Sequence, residues 1–347
     1  MPSLPSPITI VTHRLVSDEL RAQAFAQFGL LSAEQLLGRG ITATMASDAV
    51  RSGHIRRPTR GVYDFAVEAP VDLDPSTRGC RAAVLGLLAY GPHSVAVGAS
   101  SLALRGVWGL RIGHAPQIAM PRGSARAPRA GISVRYFDPG TEVDIVLGWR
   151  CEGVVAALAH TLLQETPPRA LGILDSALHR GLIEPHQVAD VRARTARRRG
   201  CRALEAIWDM ADKRRESPPE SWAYYDLTVA GLTPDDIQVK IFDDEGQLIA
   251  RGDIGYLLPD GNWLLIEIDG IDVHRAPEAV FGDRTRQNSL ILNSTTPMLR
   301  YTTRDFGDVG RMVREVRTYL RRVRALPVAM SPSPGLLGRV SFMCGAR

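Results

Sequence analysis

Two short, mostly apolar runs, 248–257 and 263–268, flank Leu258-Pro259-Asp260-Gly261-Asn262. Pro-Asp-Gly suits a type I turn closed by a left-handed glycine, so the two runs are predicted to be a β-hairpin. With 259–261 as a three-residue loop, Leu258 pairs with Asn262, and that register sets Asp253 opposite Glu267. Strict alternation then places Asp269 on the face of Glu267. Three carboxylates are expected to crowd one patch of an otherwise apolar sheet.

Residues 19–65 carry a helical pattern instead. Glu19 to Phe28 reads as one helix, ended by Gly29. Ser32 caps a short second helix with Gln35 at the third position, the spacing of a capping box, and Gly40 stops it. Thr42 caps a third helix through Val50 to Ser52, with Gly53 closing it, and His54 to Phe65 alternates like a hairpin wing. Three short helices followed by a basic wing predict a winged helix-turn-helix. In that architecture the third helix lies in the major groove. Thr42, Thr44, Ser47, Asp48 and Arg51 would then face bases, and Arg56, Arg57 and Arg60 on the wing would meet phosphates. Asp48 opposes that role, and such folds also serve as protein-contact modules.

Residues 66–76 read as a linker, and 77–215 as an α+β segment followed by helices. Helices are predicted over 77–90, 100–105, 151–164, 171–180, 185–195 and 203–213. Strands are predicted over 95–97, 118–120, 132–136 and 143–146. Arg192, Arg194, Arg197, Arg198, Arg199 and Arg202 cluster within it; the run reads either as a solvated helix end or as a strip that tracks phosphates. Arg122, Arg126 and Arg129 form a second basic stretch. Residues 216–325 hold a helix to Gly231, a strand at 238–242, the hairpin, a helix over 277–293, a strand at 298–302 and a final helix over 308–322. The leader 1–18 and the Pro/Gly/Ser-rich tail 326–347 are expected to be poorly ordered.

A length of 347 residues implies two or three domains, and 45% hydrophobic with 23% charged residues implies a globular protein. The net charge of +5 is mildly basic, compatible with nucleic acid. Four cysteines, Cys80, Cys151, Cys201 and Cys344, form no CxxC or Cys/His spacing and read as thiols of a reducing compartment. No apolar run approaches the ~18 residues of a membrane span, and no charged start precedes an apolar stretch. A cytoplasmic protein without a membrane partner is expected.

Like charges placed opposite one another destabilise a sheet, and a bound cation reverses that sign. An oxygen-lined site at Asp253 and Glu267 suits Mg2+, or Mn2+, and its expected use is phosphodiester cleavage. Glu220 has two readings. Ser217-Pro218-Pro219-Glu220 satisfies a capping box with proline at the first helical position, one reading of this carboxylate, and the other comes from the resemblance below.

Asp253, then Glu267-Ile268-Asp269-Gly270, His274 and Asp283-Arg284-Thr285-Arg286 together resemble the endonuclease-like domain related to the Vsr mismatch endonuclease, within the PD-(D/E)xK class. The resemblance implies an αβββαβα restriction-endonuclease-like fold, a metal site at Asp253 and Glu267, and accessory positions at Asp269 and His274. It also implies that the first helix presents Glu220 to the metal. Arg284 and Arg286 would hold a phosphate or pair with nearby acids. Asp269 stands where the class has lysine, which leaves proton transfer to His274, Lys240 or a metal-bound water. The N-terminal module, with Gly61-Val62-Tyr63 as its wing strand, is similar to AbiEi antitoxins, as is the segment Ala99–Leu104 through Trp108-Gly109-Leu110. The chain is therefore expected to be an α/β multidomain protein that binds double-stranded DNA and hydrolyses it. The alternative is a non-enzymatic transcriptional regulator or antitoxin, with a cognate toxin as partner and a degenerate nuclease domain.

Overall fold

The computed structural model describes residues 8–11, 16–120, 129–135, 140–243, 245–269, 296–307 and 310–325 of a mixed α/β chain. It comprises two compact units, Met1–Asp209 and Met210–Arg347.

The first unit opens with α1 (Asp18–Ala26), β1 (Leu30–Ser32), α2 (Ala33–Leu37), α3 (Ala43–Arg51), β2 (Arg56–Thr59) and β3 (Val62–Asp64). The capping residues act as predicted. Ser32 accepts the Gln35 N–H at 3.2 Å while the Gln35 side chain accepts the Ser32 N–H at 2.8 Å. Thr42 accepts the Met45 N–H at 3.3 Å. β1 was not predicted, because three residues are too few to display a period. It completes an antiparallel sheet of order β1-β3-β2.

Leu20, Ala24, Leu31, Leu36, Ala46, Ala49, Tyr63 and Phe65 form the core beneath these elements. The leader departs from expectation. Ile8, Ile10 and Val16 are buried in the same core, Ile10 bridges Ala66, and Glu68 accepts the Thr9 N–H. Burial of three apolar side chains offsets the ordering entropy that a Pro/Ser-rich composition suggests is unmet.

Next come α4 (Pro75–Tyr90), β4 (Val95–Ala96), α5 (Gly98–Leu104), β5 (Gln117–Ala119), β6 (Ser133–Arg135), β7 (Val143–Val146), β8 (Trp149–Glu152), α6 (Val154–Leu162), α7 (Pro167–His179), α8 (Val188–Thr195) and α9 (Glu205–Trp208). Their strands make a five-stranded sheet, β6-β5-β4-β8-β7. The long helix predicted from Cys151 is corrected: Cys151 and Glu152 belong to β8, and the helix starts at Val154. Leu147 and Gly148, with φ of 50° and 80°, form a tight reversal between β7 and β8. The helix predicted over 203–213 is likewise shorter and stops at Trp208. Asp212 accepts the Arg214 N–H at 2.8 Å, a local turn that competes with helical bonding.

A buried charge ties the small sheet to α4. The Asp64 carboxylate accepts Arg81 at 2.5 Å, Arg56 Nε at 2.9 Å and the Ala66 N–H at 2.9 Å. Arg81 also donates to the Phe28 carbonyl. Gly29, at φ +82°, lets the end of α1 pass this cluster; a Cβ there would lie 2.8 Å from Ala66 Cβ and 2.9 Å from an Arg81 nitrogen.

The second unit consists of α10 (Pro218–Val229), β9 (Asp236–Phe242), β10 (Leu248–Leu257), β11 (Trp263–Asp269), β12 (Met298–Thr302) and α11 (Arg311–Ala325). The sheet order is β12-β11-β10-β9, with β11 and β12 parallel. The hairpin turn forms as predicted: Leu258 N–H donates to the Asn262 carbonyl at 2.8 Å, and Gly261 takes φ +85°. Tyr256 pairs with Leu264 and Ile254 with Ile266. Ala223 and Leu227 of α10 and Met312, Val313, Val316 and Leu320 of α11 pack on Ile254, Tyr256, Leu264 and Ile266. Val239, Ala250 and Leu265 form a separate cluster. The helix predicted over 277–293 lies outside the described residues.

Arg81→Ala leaves the buried Asp64 carboxylate with one fewer cation. We expect the first unit to lose about 3–5 kcal/mol, read as a lower urea midpoint; a loss below about 1 kcal/mol would show that Arg56 and the backbone satisfy Asp64 unaided.

Candidate functional site

The outer face of α3 is set by its inner one. Ala46 and Ala49 are buried, so helical spacing turns Thr44, Ser47, Asp48 and Arg51 to the opposite side. Thr44, Asp48 and Arg51 are exposed and Ser47 is half-buried. Thr42, exposed at the head of the helix, uses its hydroxyl oxygen as the cap. Arg51 and Asp48 form an ion pair at 2.7 Å with side chains 77% and 58% exposed, a pair weak enough in water to open for a ligand.

The three wing arginines differ. Arg57 and Arg60 are exposed, and the Arg57 guanidinium lies 5.8 Å from the centre of the Tyr63 ring. Arg56 is exposed too, its side chain 43% accessible, but part of its guanidinium is engaged by the fold. Besides Asp64 it donates to the carbonyls of Ala66 and Glu68 at 2.7 and 2.8 Å. Arg129 lies over the Tyr90 ring and donates to the Arg60 carbonyl, so it borders the wing turn. Arg122 and Arg126 lie outside the described residues.

In the second unit the paired register of β10 and β11 runs from Leu257–Trp263 to Ile254–Ile266, so Asp253 and Glu267 stand just beyond its last pair, and on the other side Asp253 falls between the pairs Gly252–Val239 and Ile254–Ile237. Alternation, however, does not run evenly through this level. Ala250 sits with Leu265 and Val239, whereas Ile254 and Tyr256 sit with Leu264 and Ile266. Gln238 has a left-handed φ of 55°, which breaks the pleat of β9.

Each carboxylate has a defined surrounding. Asp253 accepts the Ile268 N–H at 2.7 Å, in place of a backbone carbonyl. Glu267 pairs with Arg300, its partner across the parallel strands, at 2.8 Å. Asp269 lies opposite Thr302. Glu220 is 6% exposed and accepts Ser217 Oγ at 2.7 Å, the Glu216 N–H at 3.0 Å and Gln238 Nε2 at 2.7 Å. The predicted capping box is thus altered: Glu220 reaches the amide one residue before the cap, and Ser217 donates to it. Gln238 also accepts Arg251 Nε at 2.7 Å. Lys240 is exposed, paired in register with Arg251. His274, Arg284 and Arg286 lie outside the described residues. Among the described residues no three His, Cys, Asp or Glu side chains converge on a metal position.

Sequence reasoning missed Gln238, which bridges Glu220 and Arg251; glutamine in a strand carries no signal of a left-handed backbone. Burial pushes the Glu220 carboxyl up. Burial first, then the Glu220 and Glu267 charges, push Asp253 up to about 7, against the opposing Ile268 N–H.

The folded state therefore binds the extra proton between about pH 4, where the unfolded carboxyl titrates, and about 7. Stability from this group is complete below that window and is lost as pH rises through it. Asp253→Asn should stabilise the second unit by up to roughly 4 kcal/mol at about pH 8 and by little at about pH 4. Urea unfolding of both proteins at the two pH values checks this, and a destabilised Asn variant at high pH would reverse the sign.

Among the described residues no helix is long and apolar enough to cross a membrane. No curated protein matches the chain. Residues 21–66, which span most of α1 through β3, match the family model described as transcriptional regulator, AbiEi antitoxin.

Proposed function

We propose that the protein is a DNA-binding transcriptional regulator of the antitoxin type, with a winged helix-turn-helix over 19–65 and a cognate toxin as its further partner. The match of residues 21–66 carries this reading. The geometry supports it: α3 offers Thr44, Ser47 and Arg51 on one face, hydroxyls and a guanidinium that can donate to base edges in a major groove. Arg57 and Arg60 would bind the flanking phosphates, fixing register without reading sequence. Asp48 holds Arg51 until a base acceptor replaces it.

Selection of the full chain against a randomised duplex pool should enrich one sequence. Thr44→Ala with Arg51→Ala should then weaken that duplex by about 10- to 100-fold or more, since each base contact contributes roughly 1–3 kcal/mol. Failure to enrich any sequence would remove the reading.

One observation favours a second activity in the other unit, metal-dependent phosphodiester hydrolysis on an endonuclease-like fold. Asp253 is half-buried where the Glu220 and Glu267 charges oppose its own, and a dication bound there would offset that repulsion and stabilise the carboxylate. The donors are hard oxygens, and Mg2+ needs only one or two carboxylates with water completing its shell. Asp253 and Glu267 would hold the ion, Arg300 releasing Glu267, while Glu220 stays fixed by its three donors. When bound, the ion would supply an activated water and charge stabilisation at phosphorus. Calorimetric titration at about pH 8 should show Mg2+ or Mn2+ raising the Tm of the parent and not of Asp253→Asn. Equal shifts, or none in either protein, would remove this second reading.

A further inference from the structure

The turn that leaves α8 carries five arginines, Arg194, Arg197, Arg198, Arg199 and Arg202, with no acidic residue from 191 to 204. Arg192, just before them, is paired with Glu205 at 2.6 Å. Among the described residues, none of the five has an ion pair or a side-chain hydrogen bond. All five are exposed.

A solvated helix end accounts for only part of this. Arg194 lies in the last turn of α8, where a cation complements the helix dipole. The other four follow the end of the helix and gain nothing from it. Across the whole chain 42 cationic residues face 37 acidic ones, an excess of +5. Residues 191–204 alone hold six arginines and no acid, so the local charge density far exceeds the chain average.

The turn is also fixed in shape. Arg197 holds a left-handed φ of 61°, a conformation disfavoured for arginine by roughly 1–2 kcal/mol. Gly200 follows at φ +96°, and a Cβ there would lie 3.0 Å from the Leu163 carbonyl oxygen, just past α6. Thr195 is buried, its hydroxyl donating to the Arg192 carbonyl at 2.7 Å. Five like charges thus follow one another along a short stretch whose backbone path is set at Arg197 and Gly200. A regular array of phosphates relieves that repulsion, and guanidinium forks fit phosphate oxygens in pairs.

We propose that residues 194–202 form a phosphate-contact surface for double-stranded DNA, additional to α3 and the wing. The choice of DNA over an acidic protein surface rests on the regulator reading. The surface would contribute sequence-independent affinity, released with salt.

The test uses the full chain and a labelled mixed-sequence duplex of about 30 base pairs, followed by anisotropy between about 50 and 200 mM salt. Arg198→Ala, Arg199→Ala and Arg202→Ala are combined, leaving the left-handed Arg197 in place. The slope of log affinity against log salt should become shallower by about 3, with affinity at about 100 mM salt falling at least tenfold. The matching triple lysine variant should keep the parent slope, which separates charge from folding damage. Thr44→Ala with Ser47→Ala should leave this slope unchanged, so loss of the α3 reading and loss of this surface are distinguishable. A triple alanine variant with the parent slope, the result expected if the partner is an acidic protein, overturns the proposal. So does a parent that binds no duplex.

Discussion

The N-terminal part of the first unit is tied together by a buried carboxylate, one of several in the unit beside Glu152 and Asp175. Asp64 is nearly inaccessible, and desolvating a carboxylate is tolerated only when cations and N–H donors replace water. Arg81 from α4, Arg56 from β2 and the Ala66 amide supply them. Because those donors come from different elements, the charge does more than survive burial. It sets the angle at which the three-stranded sheet meets α4, and so the position from which α3 and the wing face outward. The Phe28 carbonyl and Gly29 are drawn into the same knot, which is why the end of α1 admits no side chain there.

The second unit treats its charges differently. The Glu220 and Glu267 charges act on Asp253, and Arg251 opposes them only as a charge at a distance, without the ion pair by which Arg81 meets Asp64 among the described residues. Arg251 is turned to Gln238 and Glu216, and Arg300 to Glu267. Among the described residues Asp253 has the Ile268 amide as its hydrogen-bond donor. A structural charge and a poised charge are thus both present in one chain, separated by what stands within hydrogen-bond reach.

Local signals were legible where a residue type permits only one backbone role. Ser32, Gln35, Thr42 and Gly261 each act where the sequence placed them, since caps and left-handed turns are decided within a few residues. The hairpin register followed from the turn for the same reason. What escaped was nonlocal. Ile8 and Ile10 look like a leader until Phe65 and Ala66 offer them a core, and Cys151 looks helical until β4 and β7 claim it as a strand. The left-handed backbone of Gln238 escaped as well, because glutamine in a strand carries no local sign of it.

Arginine shows the limit most clearly. The chain spells Arg56, Arg57 and Arg60 alike, and all three are exposed, yet Arg56 already gives Nε and one terminal nitrogen to Asp64 and two carbonyls. A guanidinium binds a phosphate only with forks that the protein has not already filled. Cation count therefore overstates a DNA-binding surface wherever a buried acid or a row of carbonyls lies near, and it understates the surface where none does. The turn at 194–202 is the second case: no acid lies within the run, and its backbone holds the guanidiniums together. A partner bringing many evenly spaced anions gains most from that arrangement, because each contact it makes also relieves repulsion between the neighbours.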